Sequence, residues 1–285
     1  MSWSELADGI RVRQSTQYWM NSVLLAGAGH AVLVDPGVLP GELDDLAAAV
    51  LGTGATHVTL VFTHGHWDHV LGRPWWPHAA TVGHAGLGAE LARDRDAILK
   101  EAVDHAAGAG ETWRRGFEPF EPGTPVRGET RLNLGPFALV AREAPGHCDT
   151  QITLHLPERR LLFAGDMLSD LEIPWLDRET GAYRGTLASL LSLAEDGAVE
   201  TLVPGHGAVA RGRAAVLGRL RRDLRYLDEL DAGVRAARAA GLGLDETQAR
   251  LAGMDYTGKG AAYPMDEVHR GNVRIAWERA GEATG

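Results

Sequence analysis

The chain predicts an α/β protein built from two mixed β-sheets, each flanked by helices and packed facing each other. Three observations predict it. Short apolar runs bounded by Gly, Pro and Asp recur through residues 10–62 and again through 131–203, as half-buried or buried strands do. Stretches with apolar residues three and four apart fall between those runs, and strand-helix-strand order favours parallel pairing beside the hairpins. The second half also echoes the first: strands, a helix, then a strand ending in polar residues bounded by glycine. Two helix-backed sheets facing each other are the simplest way for such halves to bury their sheet faces.

Taken in order, the first strands are Ile10 to Val12, Ser22 to Leu25, Ala31 to Val34 and His57 to Phe62. Gly27 to Gly29 joins the second and third as a hairpin turn, and Asp35-Pro36-Gly37 closes the third. Between Pro40 and Leu51 the spacing of Leu43, Leu46 and Val50 predicts a helix. From Arg73 to Gly128 the character changes, with Trp75, Trp76, Trp113, several prolines and a helix over about Leu87 to Ala106. This stretch reads as an inserted, partly helical cover. Strands resume at Arg131 to Leu134, Phe137 to Ala141, Gln151 to Leu156 and Arg160 to Ala164, then a helix at Thr186 to Glu195 and a strand at Glu200 to Val203.

The core is therefore expected over residues 1–210, with the insertion at about 73–128, and residues 211–285 form a helical extension packed on it. In that extension Leu217, Leu220, Leu224, Leu227 and Leu230 make one apolar stripe, and Val268 to Arg279 form a closing helix. Its arginines, Arg211, Arg213, Arg219, Arg221, Arg222 and Arg225, are read as a solvated face balanced by Asp223, Asp228 and Glu229 rather than as an RNA surface.

Composition narrows the function. At roughly 150 residues per domain, 285 residues make one large domain or two small ones. An apolar share of 45% and a charged share of 23% exclude a disordered or fibrous chain. The formal charge of -10 repels a phosphate backbone, so the expected partner is a small-molecule substrate, with neither nucleic acid nor membrane. Cys148 is the sole cysteine, so no intramolecular disulfide forms. The acidic start MSWSELADGIRVRQ is unlike a secretory signal, and a cytoplasmic setting is expected. No apolar run approaches the roughly 20 residues that cross a bilayer. The oligomeric state stays open, a homodimer included.

The chemistry concentrates in Thr63-His64-Gly65-His66-Trp67-Asp68-His69, directly after an apolar strand. Four metal-capable side chains within six residues at a strand end can be aimed at one place by a tight loop. Three later segments repeat one arrangement, a metal-capable side chain beside glycine after a strand: Pro145-Gly146-His147, Ala164-Gly165-Asp166 and Pro204-Gly205-His206-Gly207. Imidazoles and carboxylates without a thiolate set suit zinc, manganese or ferrous iron in an open, catalytic centre.

These residues, in this order, resemble the metallo-β-lactamase fold superfamily of hydrolases, over roughly residues 10 to 210. The H-x-H-x-D-H motif matches at His64, His66, Asp68 and His69, the later histidine at His147, the bridging aspartate at Asp166, the last histidine at His206, and the early aspartate at Asp35. The resemblance implies a four-layer αβ/βα sandwich with two divalent metal ions, zinc first and manganese or iron as alternatives. It assigns His64, His66 and His147 to one metal, Asp68, His69 and His206 to the other, and Asp166 to both, the ligand set of glyoxalase II. Two such cations can supply a bridging hydroxide that attacks an ester, thioester or lactone carbonyl. Asp68 would also shuttle a proton to the leaving group, and Asp35 would brace the His64 loop from behind the ligands.

Trp67 is the candidate wall of an apolar substrate pocket, with Trp175 and Tyr183, after Asp166, as candidates to reach the same groove. Cys148 reads as a small buried filler. His30, His57, His78, His84, His105, His155 and His269 receive no role.

Departures from marked subfamilies narrow the reading further. Asp166 stands where a thiolate-ligand β-lactamase has cysteine, and Ser169 where many homoserine-lactone lactonases have tyrosine. Gly207-Ala208-Val209 follows His206 where glyoxalase II hydrolases carry Glu-Tyr-Thr, so glutathione thioester is not favoured. One alternative is a mononuclear iron persulfide dioxygenase, which uses a subset of these ligands. Another is a phosphodiesterase or nuclease of the same superfamily, which the charge disfavours. A catalytically silent scaffold is unattractive, since every ligand position is filled.

Overall fold

A computed structural model describes residues 3–258 and 263–282. The ends of the expected core and extension, and residues 259–262 within the extension, lie outside that range. The first sheet has seven strands in sequential order: β1 (Ser4–Ala7), β2 (Ile10–Gln14), β3 (Asn21–Gly27), β4 (His30–Val34), β5 (His57–Val61), β6 (Ala80–His84) and β7 (Thr124–Val126). β1 to β4 pair antiparallel, and β4 to β7 pair parallel. The second sheet has six strands: β8 (Glu129–Leu134), β9 (Phe137–Glu143), β10 (Ile152–Leu156), β11 (Leu161–Phe163), β12 (Thr201–Val203) and β13 (Ala210–Arg211), ordered β13-β12-β11-β10-β9-β8. Two mixed sheets flanked by helices are thus the architecture.

The hairpin at Gly27 to Gly29 forms as expected, with β3 and β4 in register from Val23 opposite Val34 to Gly27 opposite His30. Helix α1 (Pro40–Gly52) follows β4. Proline at its first turn gives up no intrahelical bond there. The Glu42 carboxylate accepts the Leu39 amide at 3.4 Å, and Leu43, Leu46 and Val50 are buried. The one-turn helix α2 (Trp67–Val70) comes after β5, and α3 (Leu87–Gly108) after β6.

The stretch 73–128 contains the expected long helix, but it also carries β6 and β7, which extend the first sheet. These strands are five and three residues long and broken by glycine or proline, so their alternation is too short to register as a pattern. The same brevity hid β1 and the two-residue β13.

By its contacts the chain divides into two compact units. The first comprises Met1–Glu143, Thr150–Gly165 and Val203–Gly207. Its core packs α1 and α3 against the first sheet through Leu24, Leu33, Leu43, Leu46, Leu60, Phe62, Leu91 and Ile98, all at most 2% exposed. Within this unit the Ile152 amide donates to the Thr63 carbonyl at 2.8 Å and Met20 bridges His206, so chain ends of both sheets are tied together.

The second unit comprises Ala144–Asp149, Asp166–Leu202 and Ala208–Gly285. It holds α4 (Thr180–Glu195), α5 (Arg213–Ala239), α6 (Leu244–Leu251) and α7 (Asp266–Glu282), with α5 packed against each of the other three. The leucine stripe of α5 is buried at Leu217, Leu220, Leu227 and Leu230 and half-buried at Leu224. The polar side of α5 departs from a purely solvated face. Arg219 donates to the Leu168 carbonyl at 3.0 Å, Arg222 donates to the Ser169 carbonyl, and Asp223 is buried beside Arg222. Two of the arginines therefore hold the loop after Asp166. Among the described residues no helix is long and apolar enough to cross a membrane.

Candidate metal centre

The parallel register that sets Val34 beside Val61 carries Asp35, one residue past β4, alongside the chain leaving β5. There Asp35, buried, accepts three hydrogen bonds: Thr63 N–H at 2.7 Å on Oδ1, and Thr63 Oγ1–H at 2.6 Å and His69 Nδ1–H at 2.9 Å on Oδ2. Since the Thr63 hydroxyl spends its one proton on Asp35, it must accept from His64 Nδ1, 3.1 Å away. One carboxylate thereby sets both rings. The proton of His69 sits on Nδ1 directly, and that of His64 sits on Nδ1 through Thr63, so Nε2 is the ligand-capable atom of each.

His206 receives the same treatment from another part of the chain. Its Nδ1 donates to the Tyr18 carbonyl at 2.9 Å, which again makes Nε2 the lone-pair nitrogen. The loop carrying it is held by the Asn21 amide on the Gly205 carbonyl (2.7 Å), by Asn21 Nδ2 on the Pro204 and Gly207 carbonyls (3.0 and 2.8 Å), and by the Gly207 amide on the Trp19 carbonyl (3.0 Å). Tyr18 and Trp19 both adopt left-handed backbone, φ 53° and 52°, to present those carbonyls.

His69 Nε2 and His206 Nε2 then lie 3.4 Å apart, and Asp68 Oδ2 is 3.3 Å from His206 Nε2. Asp68, His69 and His206 each offer a ligand atom, and these atoms lie within 4.8 Å of one another. Two lone-pair nitrogens and a carboxylate converging at this distance repel one another unless a cation or proton lies among them, and all three side chains are buried. The donor set fits a borderline divalent ion. The His64 ring lies 4.6 Å from the His66 ring and 4.1 Å from the His69 ring, so the whole expected motif gathers within the first unit.

In the second unit His147 Nε2 stands 3.5 Å from Asp166 Oδ2. Gly146 is required beside it. With φ 137°, a side-chain carbon there would sit 2.4 Å from the Cα of Tyr183. Tyr183, expected as a groove residue, is instead buried beneath this turn, its hydroxyl donating to the Asp166 carbonyl at 3.5 Å. Burial pushes its phenol well above the ordinary range, so it acts as a neutral prop. Trp175 is about half exposed (52%) and meets the His147 ring edge-on, 6.2 Å between centroids.

Trp67 lies within the motif, stacked on His105 at 4.5 Å and 10° and touched edge-on by Tyr18 at 6.2 Å. His105, which received no role from the sequence, also faces the Tyr18 hydroxyl at 3.4 Å and so braces Trp67. Cys148 is buried, as expected of a filler. Thr63, the Tyr18 carbonyl and Asn21 are the positioning groups that sequence reading missed. Thr63 precedes the motif directly and was available to view, whereas nothing in the chain links residues 18 and 21 to residue 206.

Comparison with known proteins agrees with this architecture. A family model described as the Metallo-beta-lactamase superfamily matches residues 20–206. The chain is 32% identical over 206 residues to Acyl-coenzyme A thioesterase MBLAC2 of Bos taurus, covering 65% of this chain and 72% of that one. It is 28% identical over 190 residues to Hydroxyacylglutathione hydrolase GloC of Haemophilus influenzae, covering 63% and 81%. Among solved structures, metallo-beta-lactamase family protein TTHA1429 from Thermus thermophilus shares the fold at TM-score 0.69 and 20% identity, over 98% of this chain and 95% of that one. The sec-alkylsulfatase Pisa1 from Pseudomonas sp. also shares it, at TM-score 0.72 and 16% identity over 97% of this chain, which spans 50% of that longer chain.

Proposed function

The chain belongs to the metallo-β-lactamase superfamily of metal-dependent hydrolases, and on that premise we propose that it hydrolyses acyl thioesters at a pair of zinc ions. The observation that carries the reading is the convergence of His69 Nε2, His206 Nε2 and the Asp68 carboxylate, with both ring protons directed away onto Asp35 and the Tyr18 carbonyl. Asp68, His69 and His206 are the residues to hold one ion. His64, His66 and His147 would hold the other, and Asp166 is the remaining carboxylate of the ligand set. When bound, such ions lower the pKa of water towards neutrality and polarise a carbonyl.

The chain's own groups divide the remaining work. Asp35 keeps His69 and, through Thr63, His64 in the ligating tautomer during turnover. Asp68, with one oxygen 3.3 Å from His206 Nε2 and the other 3.8 Å from His69 Nε2, is the carboxylate placed to take a proton from the attacking water and return it to the departing thiolate. Low solvent exposure of these groups strengthens each charge interaction. The thioester preference is supported by the acyl-coenzyme A thioesterase relative. The run after His206 departs from glyoxalase II, while a hydroxyacylglutathione hydrolase is among the relatives, so both thiol carriers belong in the test.

Elemental analysis of zinc-supplied protein, paired with turnover of acyl-coenzyme A, acyl-glutathione, lactone, β-lactam and phosphodiester substrates, tests the reading. Two metals per chain and preference for a thioester are expected. One iron per chain with oxygen uptake on a persulfide would replace it with the dioxygenase. Asp68→Asn is expected to lower kcat at least about a hundredfold, and unchanged turnover would remove Asp68 from the proton path.

A further inference from the structure

The loop between Asp166 and α4 carries Trp175. Ile173, Pro174 and Leu176 are buried, yet the indole among them is half exposed. It is also the side chain that stands edge-on to His147, at 83° between ring planes. A large apolar ring left in solvent beside a ligand histidine is a contact surface rather than a packing element.

The backbone on either side of Trp175 is gripped by one side chain from far along the sequence. Asn272, on α7 and 1% exposed, donates through Nδ2 to the Pro174 carbonyl at 2.6 Å and accepts through Oδ1 from the Leu176 amide at 3.1 Å. Its second amide proton goes to the Tyr226 hydroxyl on α5 at 2.9 Å. Tyr226 in turn donates to His269 Nδ1 at 2.9 Å, because His269 Nε2–H is committed to the Leu251 carbonyl at 3.0 Å. The chain of bonds thus ties the end of α6, α7 and α5 to the two peptide groups that flank Trp175. The Asp177 amide adds a bond to the Gly146 carbonyl at 3.1 Å, joining this loop to the turn that carries His147.

We propose that Trp175 selects the acyl chain of the substrate by covering its first few carbons, and that Asn272 is the positioning residue through which the C-terminal helices hold Trp175 in place. This rests on the thioester reading above. With ring centroids 6.2 Å apart, a group bonded to a carbonyl held near His147 lies within van der Waals reach of the indole. An apolar chain fits that surface and a charged one does not. Because one indole face covers one side of the chain, each added methylene contributes about half of full burial, close to a twofold gain in affinity.

Two series with one thiol carrier test this. The first measures kcat/KM for acetyl to octanoyl coenzyme A thioesters. The second measures, by calorimetry, binding of non-hydrolysable S-alkyl coenzyme A thioethers of matching length to the zinc-loaded protein. Wild type is expected to gain about twofold per methylene over the first four carbons in both series. Trp175→Ala should flatten both slopes, costing methyl thioether binding no more than about twofold and octyl binding several times that, with zinc content at the wild-type level. Asn272→Asp keeps an acceptor for Leu176 and loses both donations, so its slope should fall between the two. Added to Trp175→Ala, it should have no further effect on the slope, which a general loss of structure would not reproduce.

A chain-length slope retained in Trp175→Ala overturns the proposal. So does an Asn272→Asp slope equal to wild type, or an equal loss for methyl and octyl ligands. If wild type turns over acyl thioesters and Trp175→Ala keeps the slope, the acyl-selection proposal alone falls. If wild type turns over no acyl thioester at all, the functional reading falls and the acyl assignment with it.

Discussion

Replacing Asp35 with asparagine isolates the effect of proton placement from that of shape. Asparagine is tolerated at the left-handed φ of 46° that Asp35 adopts, so the backbone has no reason to move. The carboxylate accepts from two donors on Oδ2 and one on Oδ1, whereas the amide offers a single oxygen. The Thr63 N–H cannot reverse its polarity, so the oxygen must stay at the Oδ1 position and NH2 takes the place of Oδ2. Two charge-assisted bonds worth about 1.5–3 kcal/mol each are lost, a total of roughly 3–6 kcal/mol before relaxation.

The cheapest relaxation is for His69 to accept at Nδ1 and move its proton to Nε2, the nitrogen 3.4 Å from His206. That ring then no longer offers a lone pair to a cation. Affinity for the ion that Asp68, His69 and His206 would hold should fall by about 10–100-fold, and because the Thr63 hydroxyl loses its acceptor on Oδ2 and can turn its proton to His64 Nδ1, the ion assigned to His64 should weaken as well. Zinc content measured across a series of chelator concentrations, with a melting curve at each end, reads both effects. If Asp35→Asn keeps two zinc ions at the chelator level where wild type does, Asp35 does not set the His69 proton.

Gly146→Ala should be among the most damaging small changes, since the new carbon would lie 2.4 Å from the Tyr183 backbone at a φ that L-residues rarely adopt. A loss of about 3 kcal/mol or more in urea unfolding is expected, with His147 displaced and metal content reduced; a wild-type midpoint would contradict the required close approach. Burial raises the Asp223 carboxyl to about 6 against the opposing pull of Arg222, so its contribution to stability is greatest when protonated and falls as pH rises through the folded value. From an ordinary value near 3.8, the loss between pH 5 and pH 7.5 is on the order of 1 kcal/mol, and Asp223→Asn should remove that slope from the pH dependence of unfolding; an unchanged slope would assign it to other groups.

What could be read along the chain was whatever neighbouring residues encode. The run from His64 to His69 was legible because four ligand-capable side chains share one loop, and the strand before it because five apolar or β-branched residues stand together. His147, Asp166 and His206 were legible because each adjoins a glycine after a strand. The fold class followed from the same local periods. Strands β6, β7 and β13 were not, since two to five residues are too few to show a period and their membership rests on pairing with distant neighbours.

The roles of Tyr18, Thr63, Asn21 and Asn272 belong to another level. Whether a histidine ligates through Nε2 depends on which acceptor its Nδ1 meets, and for His206 that acceptor lies 188 residues away. The basic side of α5 looked solvated in the sequence because charge is a property of composition, yet Arg219 and Arg222 turn inward to carbonyls that only folding brings near. Residue type and spacing specify which atoms can bind a cation. Proton location, loop support and the exposure of Trp175 arise from contacts between residues far apart in the chain, because hydrogen bonding and burial depend on distance in space.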